Sequence, residues 1–293
     1  MSALPASTEL HSPASLEEAL GLMAHGGRRP LAGGTDFFAS LSQRPFRNPL
    51  VDLQGIAALR GIHFARSPEG AETLRIGALT TWSDLRATPL PAGLEALALA
   101  AAEVGGRQVQ NRGTLGGNLC NASPAADGVP VLLALDASVA LQSSGGTRQL
   151  PLASFILGNR RTALAPDELL VGIDIPLPTS RARSTVLKLG HRRFLVISVT
   201  MISVRIDVDN SGRIQRCAIA VGACSEVAQR LQALEARLVG CTVASAAACA
   251  AQLLIEEKDR MLEVLAPIDD VRGTARYRRD ALCTLIPRAL AAQ

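Results

Sequence analysis

Two short glycine-rich segments are the places in this chain best suited to bind a ligand. The first is LAGGTD at residues 31–36 and the second is GTLGGN at residues 113–118. Glycine has no Cβ, so the backbone can approach a ligand closely and successive N–H groups can converge on an anion. The two segments together predict a site for a diphosphate. Short polar side chains that suit a nucleotide accompany them: Thr35, Asp36, Thr114, Asn118, Ser123 and Asp127.

A plainer interpretation exists for each segment taken alone. Glycine pairs commonly mark tight turns. Neither segment fits the GxGxxG pattern of the common dinucleotide fold or the GxxxxGK[ST] pattern of the phosphate-binding P-loop. The hypothesis of a shared ligand site therefore depends on the two segments occurring together.

Capping residues and hydrophobic spacing indicate the elements that must position these segments. Ser15, with Glu18 three residues later, predicts a short amphipathic helix ahead of the first segment. An alanine-rich helix precedes the second segment, and the apolar run GVPVLLALDASVALQSS after it predicts a helix and a strand. After the proline-punctuated stretch IDIPLPTSRARS, we expect a hairpin turning at Asn-Ser-Gly and two closing helices.

Composition excludes several classes of protein. The 293 residues are 48% hydrophobic and 19% charged, and eight aromatic residues (six Phe, one Trp, one Tyr) cannot form a basic-aromatic stripe for nucleic acid. No signal peptide or apolar run of about 20 residues is evident, so we expect a cytoplasmic protein. The spacing of the six cysteines matches no zinc or iron–sulfur motif, which predicts small buried side chains and no metal site in this chain.

Five segments, in order and spacing, resemble the FAD-binding medium subunits of the xanthine dehydrogenase and carbon monoxide dehydrogenase family of molybdenum hydroxylases. They are LAGGTD, RQVQNRGTLGGNLCNASPAAD, RTALAPDELLVGIDIPLP, LKLGHRR and DVRGTARYRR. The resemblance covers nearly the whole chain. It implies an α+β fold with a PCMH-type FAD-binding domain at residues 1–175, divided into lobes at about 1–55 and 56–175. A smaller α+β domain with an antiparallel sheet and helices would follow at residues 176–293.

The resemblance also implies which residues bind FAD. Both glycine-rich segments would wrap its diphosphate through main-chain N–H groups: Leu31, Ala32, Gly33, Gly34, Thr35 and Asp36 from one side, and Thr114, Gly116, Gly117 and Asn118 from the other. Cys120 would lie against the isoalloxazine, Asp127 toward the ADP part and Lys188 near the flavin. The remaining implied residues are Asn121, Ser123, Leu169 and Leu170, the last two at the flavin pyrimidine edge.

Three of these residues, and one further aromatic, have alternative interpretations that the sequence leaves open. Asp127 suits the N-cap of the following helix, Cys120 suits simple packing, and Lys188 suits a solvated strand end. Phe194 either shields the flavin or belongs to the core.

The implied function is electron transfer. FAD in this chain would accept electrons from [2Fe–2S] clusters of a small partner subunit and pass them to an external acceptor. Substrate would react on the molybdopterin cofactor of a large partner subunit, in a heterotrimer or a dimer of heterotrimers. The alternative is a stand-alone PCMH-type flavin oxidase, which often links its flavin to a histidine; none of the four histidines lies in either glycine-rich segment. A structural subunit without FAD is a third possibility, against which the intact segments argue.

Overall fold

The computed structural model describes residues 9–41, 48–67, 70–193 and 195–293. The first part is a small parallel sheet with strand order β1-β3-β2. The Ser15 hydroxyl accepts a hydrogen bond from the Glu18 N–H at 3.2 Å, which confirms the predicted helix start. The elements of this part are β1 (Leu10–His11), α1 (Leu16–Ala24), β2 (Arg29–Leu31), α2 (Thr35–Ser40) and β3 (Leu50–Asp52).

A five-stranded antiparallel sheet of order β4-β5-β10-β6-β7 follows. Its central strand is buried along almost its whole length, as the apolar run LLVGI at its start requires. A 3₁₀ turn at Ala57–Leu59 leads into this part. Its elements are β4 (Ile62–Arg66), β5 (Glu72–Gly77), α3 (Trp82–Ala87), α4 (Glu95–Glu103), α5 (Arg107–Arg112), α6 (Leu115–Asn121), α7 (Gly128–Ala134), β6 (Ser138–Ser143), β7 (Gly146–Pro151), α8 (Leu152–Phe155), the short β8 (Ile156–Gly158) and β9 (Arg161–Thr162) ladder, and β10 (Leu169–Pro176).

The C-terminal part is a four-stranded antiparallel sheet packed against helices. The predicted Asn-Ser-Gly turn joins two of its strands, with Gly212 at φ +79°. The expectation of two helices is wrong, because this part has two long helices and two shorter ones, of which one precedes the long pair and one lies between its members. The elements are β11 (Arg183–Leu189), β12 (Thr200–Val208), β13 (Ile214–Gly222), β14 (Gln229–Arg230), α9 (Gln232–Leu238), α10 (Val243–Glu256), α11 (Lys258–Met261) and α12 (Ala275–Ala291). Across the described residues, no helix is long and apolar enough to cross a membrane.

One hydrophobic core joins the five-stranded sheet to the C-terminal sheet. Helix α7 lies between them, and its residue Val131 belongs to the same buried cluster as Met201 of β12 and Ala218 of β13. A second cluster joins α1 and β3 to the five-stranded sheet through Leu169 and Val171. The three sheets therefore hold the glycine-rich segments between surfaces that are packed together.

The shared core predicts cooperative unfolding of the two larger parts. Met201 is 1% exposed, and a buried Met→Ala replacement costs roughly 2–5 kcal/mol. Trp82, the single tryptophan, lies in the five-stranded part and reports on it by fluorescence. We expect Met201→Ala to lower the urea midpoint measured by Trp82 and by circular dichroism equally. Ile255→Ala, at an 82% exposed position, should leave both midpoints unchanged. If Met201→Ala does not lower the midpoint measured by Trp82 fluorescence, the two parts unfold independently.

Candidate functional site

The two glycine-rich segments meet directly. A Cβ built on Gly33 would lie 1.9 Å from the carbonyl oxygen of Arg112, the residue just before the second segment. Any side chain at this position must therefore push the segments apart. Gly34 is required for a different reason, since its φ of +74° lies in the left-handed region that favours glycine.

A cleft of about 280 Å³ lies between the segments. It brings together most of the residues that the sequence predicts for a ligand site. Those that line it are Leu31, Ala32, Gly33, Gly34, Thr35, Asp36, Thr114, Gly117, Asn118, Cys120 and Asn121. The walls also lie near each other at Gly117, where an added Cβ would lie 3.8 Å from the Ala32 methyl group.

The first segment presents hydrogen-bond donors to this cleft. Helix α2 begins at Thr35, and the N–H groups of a first helical turn have no acceptor within the helix. The N-cap residue is Gly34, which has no side chain to accept those hydrogen bonds. The positive end of the helix dipole adds to the attraction for an anion. This segment therefore has the donors that a diphosphate needs.

The second segment uses its backbone differently from the expected loop. Residues 115–121 form α6, and Thr114 caps it by accepting from the Gly117 N–H at 3.0 Å. The N–H groups of Leu115 and Gly116 donate to the carbonyls of Thr80 at 3.0 Å and Ala78 at 2.9 Å. Most of its early N–H groups thus anchor the helix, which corrects the expectation that successive N–H groups of this segment are open to a ligand.

Asn118 has a structural task besides lining the cleft. Its Oδ1 accepts from the N–H of Gly128, the first residue of α7, at 3.2 Å. It thereby performs the capping role that the alternative interpretation gave to Asp127. The Asp127 side chain makes no capping hydrogen bond, so that alternative is wrong.

An apolar pocket of about 80 Å³ continues from the cleft and shares Ala32, Gly117, Cys120 and Leu164 with it. Leu169 and Leu170 form part of its wall, as do three leucines that sequence reasoning missed: Leu53, Leu59 and Leu79. Nothing in their local sequence marks them, because the pocket forms only where both sheets meet. Its apolar lining suits a flat ring system.

Cys120 is open to the cleft, so the expectation of a buried cysteine is wrong here. The protein packed around the cleft raises the pKa of its thiol to about 12. The thiol therefore stays protonated at neutral pH and acts as a small polarisable wall group.

Asp127 and Lys188 form a buried ion pair, with Nζ and Oδ2 2.7 Å apart and the side chains 11% and 5% exposed. Ser198 donates to the other carboxylate oxygen at 2.9 Å. Burial raises the pKa of Asp127, and Lys188 and Ser198 partly oppose this. A solvated Lys188 is excluded. The two residues, which the resemblance places toward the ADP part and near the flavin, therefore lie next to each other. Lys188 further donates to the Glu103 carbonyl at 3.1 Å, next to the cleft residue Val104.

The structure does not bring every predicted residue to the cleft. Ser123 lines a different cavity of about 410 Å³, together with Ala223 and Arg278 of the C-terminal part. Gly116 faces the apolar pocket. Phe194 lies outside the described residues.

Family models match both parts of the chain. The FAD binding domain in molybdopterin dehydrogenase matches residues 6–178, and the CO dehydrogenase flavoprotein C-terminal domain matches residues 185–293. The chain belongs to the FAD-binding subunits of the molybdopterin dehydrogenases.

Individual relatives agree with this assignment along nearly the full chain. The nicotinate dehydrogenase FAD-subunit of Eubacterium barkeri is 34% identical, over 94% of this chain and 90% of its own length. The carbon monoxide dehydrogenase medium chain of Hydrogenophaga pseudoflava is 30% identical, over 98% and 97%. A solved structure of that organism's carbon monoxide dehydrogenase, lacking the Mo-pyranopterin moiety, superposes with a TM-score of 0.84 over 99% of this chain and 98% of the other. The expected family and α+β fold are confirmed.

The residues present fit FAD. The diphosphate has donors at the start of α2, and a flat apolar ring system has the leucine-lined pocket beside it. The contact between Gly33 and the Arg112 carbonyl leaves no room for a side chain at residue 33. These features occur together, because the cleft and the apolar pocket share part of their lining.

Gly33→Ala should abolish most FAD binding, because the new methyl group would overlap the Arg112 carbonyl and separate the cleft walls. The matched control is Gly21→Ala in α1, where an added Cβ meets nothing within 4 Å. The measurement is flavin absorbance per chain after purification, with circular dichroism to check folding. Equal flavin content in both variants would contradict the role assigned to the contact.

Lys188→Met should destabilise the fold by about 3–5 kcal/mol near neutral pH, because it leaves the buried Asp127 carboxylate without its cation. Loss of the cation raises the Asp127 pKa further. The deficit relative to wild type should therefore be smallest below pH about 4, where the carboxyl is protonated in both states, and grow as pH rises through the folded-state pKa. Urea unfolding at several pH values measures this, and adding Asp127→Asn should recover part of the loss. A deficit that does not change with pH would refute the ionic explanation.

Proposed function

We propose that this chain is the FAD-carrying electron-transfer subunit of a molybdenum hydroxylase. It accepts electrons from [2Fe–2S] clusters of a partner subunit and passes them to an external acceptor. The observation that carries the proposal is the continuous cleft and apolar pocket, which provide both donors for a diphosphate and a wall for a ring system. Full-length similarity to FAD subunits of such enzymes supports it.

The proposal also assigns a role to each part of the chain. Residues 1–175 bind FAD through lobes at about 1–55 and 56–175, and residues 176–293 form the C-terminal domain. The passage from the five-stranded to the C-terminal sheet between Pro176 and Arg183 supports this division.

Each group of cleft residues has its own task. When bound, FAD supplies the redox chemistry, and the protein supplies position and electrostatics. The first turn of α2 holds the diphosphate, and Asn118 and Thr114 form the opposite wall. Leu169 and Leu170 keep water from the ring pocket. The Lys188–Asp127 ion pair lies beside the cleft, and the hydrogen bond from Lys188 to the Glu103 carbonyl connects it to the cleft wall.

The proposed partners are a molybdopterin-binding large subunit and a small [2Fe–2S] subunit, in a heterotrimer or a dimer of heterotrimers. We further propose that the complex is cytoplasmic. Support comes from relatives whose names describe one chain of a larger enzyme, such as the medium chain of carbon monoxide dehydrogenase. A stand-alone oxidase is disfavoured because its usual histidine link lacks a candidate: none of the four histidines is among the described residues that line the cleft.

Co-expression with the genes for both partners tests this function. We expect a stable complex that contains molybdenum and [2Fe–2S] iron, and substrate should bleach its flavin absorbance. The chain produced alone should bind FAD noncovalently and oxidise no aldehyde or heterocycle. Substrate-dependent turnover by the isolated, metal-free chain would overturn the electron-transfer model in favour of the oxidase.

A further inference from the structure

We infer that Arg29 and Phe37 bind the adenosine half of FAD and thereby select FAD over FMN. The inference rests on the proposed function, because it assumes that the cleft binds a flavin. Both residues line the cleft beside the first turn of α2. Neither belongs to the glycine-rich motif, so sequence reasoning did not single them out.

FAD has two flat ring systems joined by a diphosphate, and the cleft offers two apolar surfaces of matching kind. One is the leucine-lined pocket, which offers an apolar wall to the isoalloxazine. The other is the ring of the half-buried Phe37. Trp82 also lines the cleft, but it is 2% exposed and its ring packs under Gly113 and Gly128. Of the described cleft residues, Phe37 is therefore the aromatic side chain with surface left for a ligand.

The Phe37 ring is held in place before any ligand arrives. The Arg29 guanidinium carbon lies 5.0 Å from the ring centroid. Phe38 packs against the ring at a centroid distance of 5.2 Å and an interplanar angle of 76°. A surface fixed in this way loses little side-chain entropy on binding.

The chemistry of the pair matches adenosine phosphate. A purine stacks on an aromatic ring with a gain of about 1–3 kcal/mol per base, and a guanidinium beside the ring adds cation–π attraction. The Arg29 charge also lies in the same cleft as the start of α2, where it favours the adjacent phosphate. FMN lacks the adenosine half, so it cannot make these contacts with Arg29 and Phe37.

The test compares Phe37→Leu with Phe64→Leu, the same replacement on β4. Phe64 is 69% exposed and does not line the cleft. Binding of FAD and FMN to the full chain is measured by flavin fluorescence, and binding of ADP by competition with FAD. We expect Phe37→Leu to weaken FAD and ADP about tenfold and to leave FMN within about twofold. Phe64→Leu should leave all three within about twofold, and Arg29→Gln should follow the Phe37→Leu pattern.

Equal weakening of FMN and FAD by Phe37→Leu would overturn the inference, since the ring would then support the flavin half or the cleft as a whole. Unchanged binding of FAD and ADP would overturn it as well. Both results leave the proposed function standing. A wild-type chain that binds none of the three ligands would instead refute the proposed function.

Discussion

The contact between Gly33 and the Arg112 carbonyl sets the width of the ligand cleft. Because nothing larger than hydrogen fits between them, the start of α2 and the start of α6 face each other across a narrow gap. The N–H donors at the start of α2 and the apolar pocket beside α6 can thus contact the same ligand. Were the segments further apart, each would be an ordinary helix start, too short to hold a dinucleotide by itself.

Both sides of this contact are anchored by the sheets behind them. Gly116 docks α6 on the end of β5, where a Cβ would lie 2.7 Å from the Ala78 carbonyl oxygen. On the other side, the Leu31 carbonyl at the end of β2 accepts from the Leu53 N–H at 2.9 Å. The N–H groups of Leu115 and Gly116 donate to protein carbonyls and are therefore not available to a ligand. These same hydrogen bonds help to fix the width of the cleft. This explains why two similar glycine motifs have different tasks.

Local features of the fold were predictable from sequence, and contacts between distant segments were not. The Ser15 cap, the Gly34 turn and the Asn-Ser-Gly hairpin turn each depend on a few neighbouring residues, so their patterns suffice. The Asp127–Lys188 pair joins α7 to β11, and no spacing rule connects them. The prediction that Ser123 belongs to the ligand site failed for the same reason. Its neighbours in the motif line the cleft, whereas Ser123 lines a cavity shared with residues of the C-terminal part. The family resemblance identified the ligand, and the structure was needed to assign the tasks.

The C-terminal part is coupled to the cleft in two physically different ways. Met201 and Ala218 share a core with α7, and Lys188 of β11 pairs with Asp127 immediately before that helix. The same lysine donates to Glu103, whose neighbour Val104 lines the cleft. Since α7 is capped by the cleft residue Asn118, a shift of the C-terminal sheet would move the α6 wall of the cleft. The C-terminal part is thus linked to the cleft through both apolar packing and an ion pair, although only the N-terminal half supplies the glycine-rich segments.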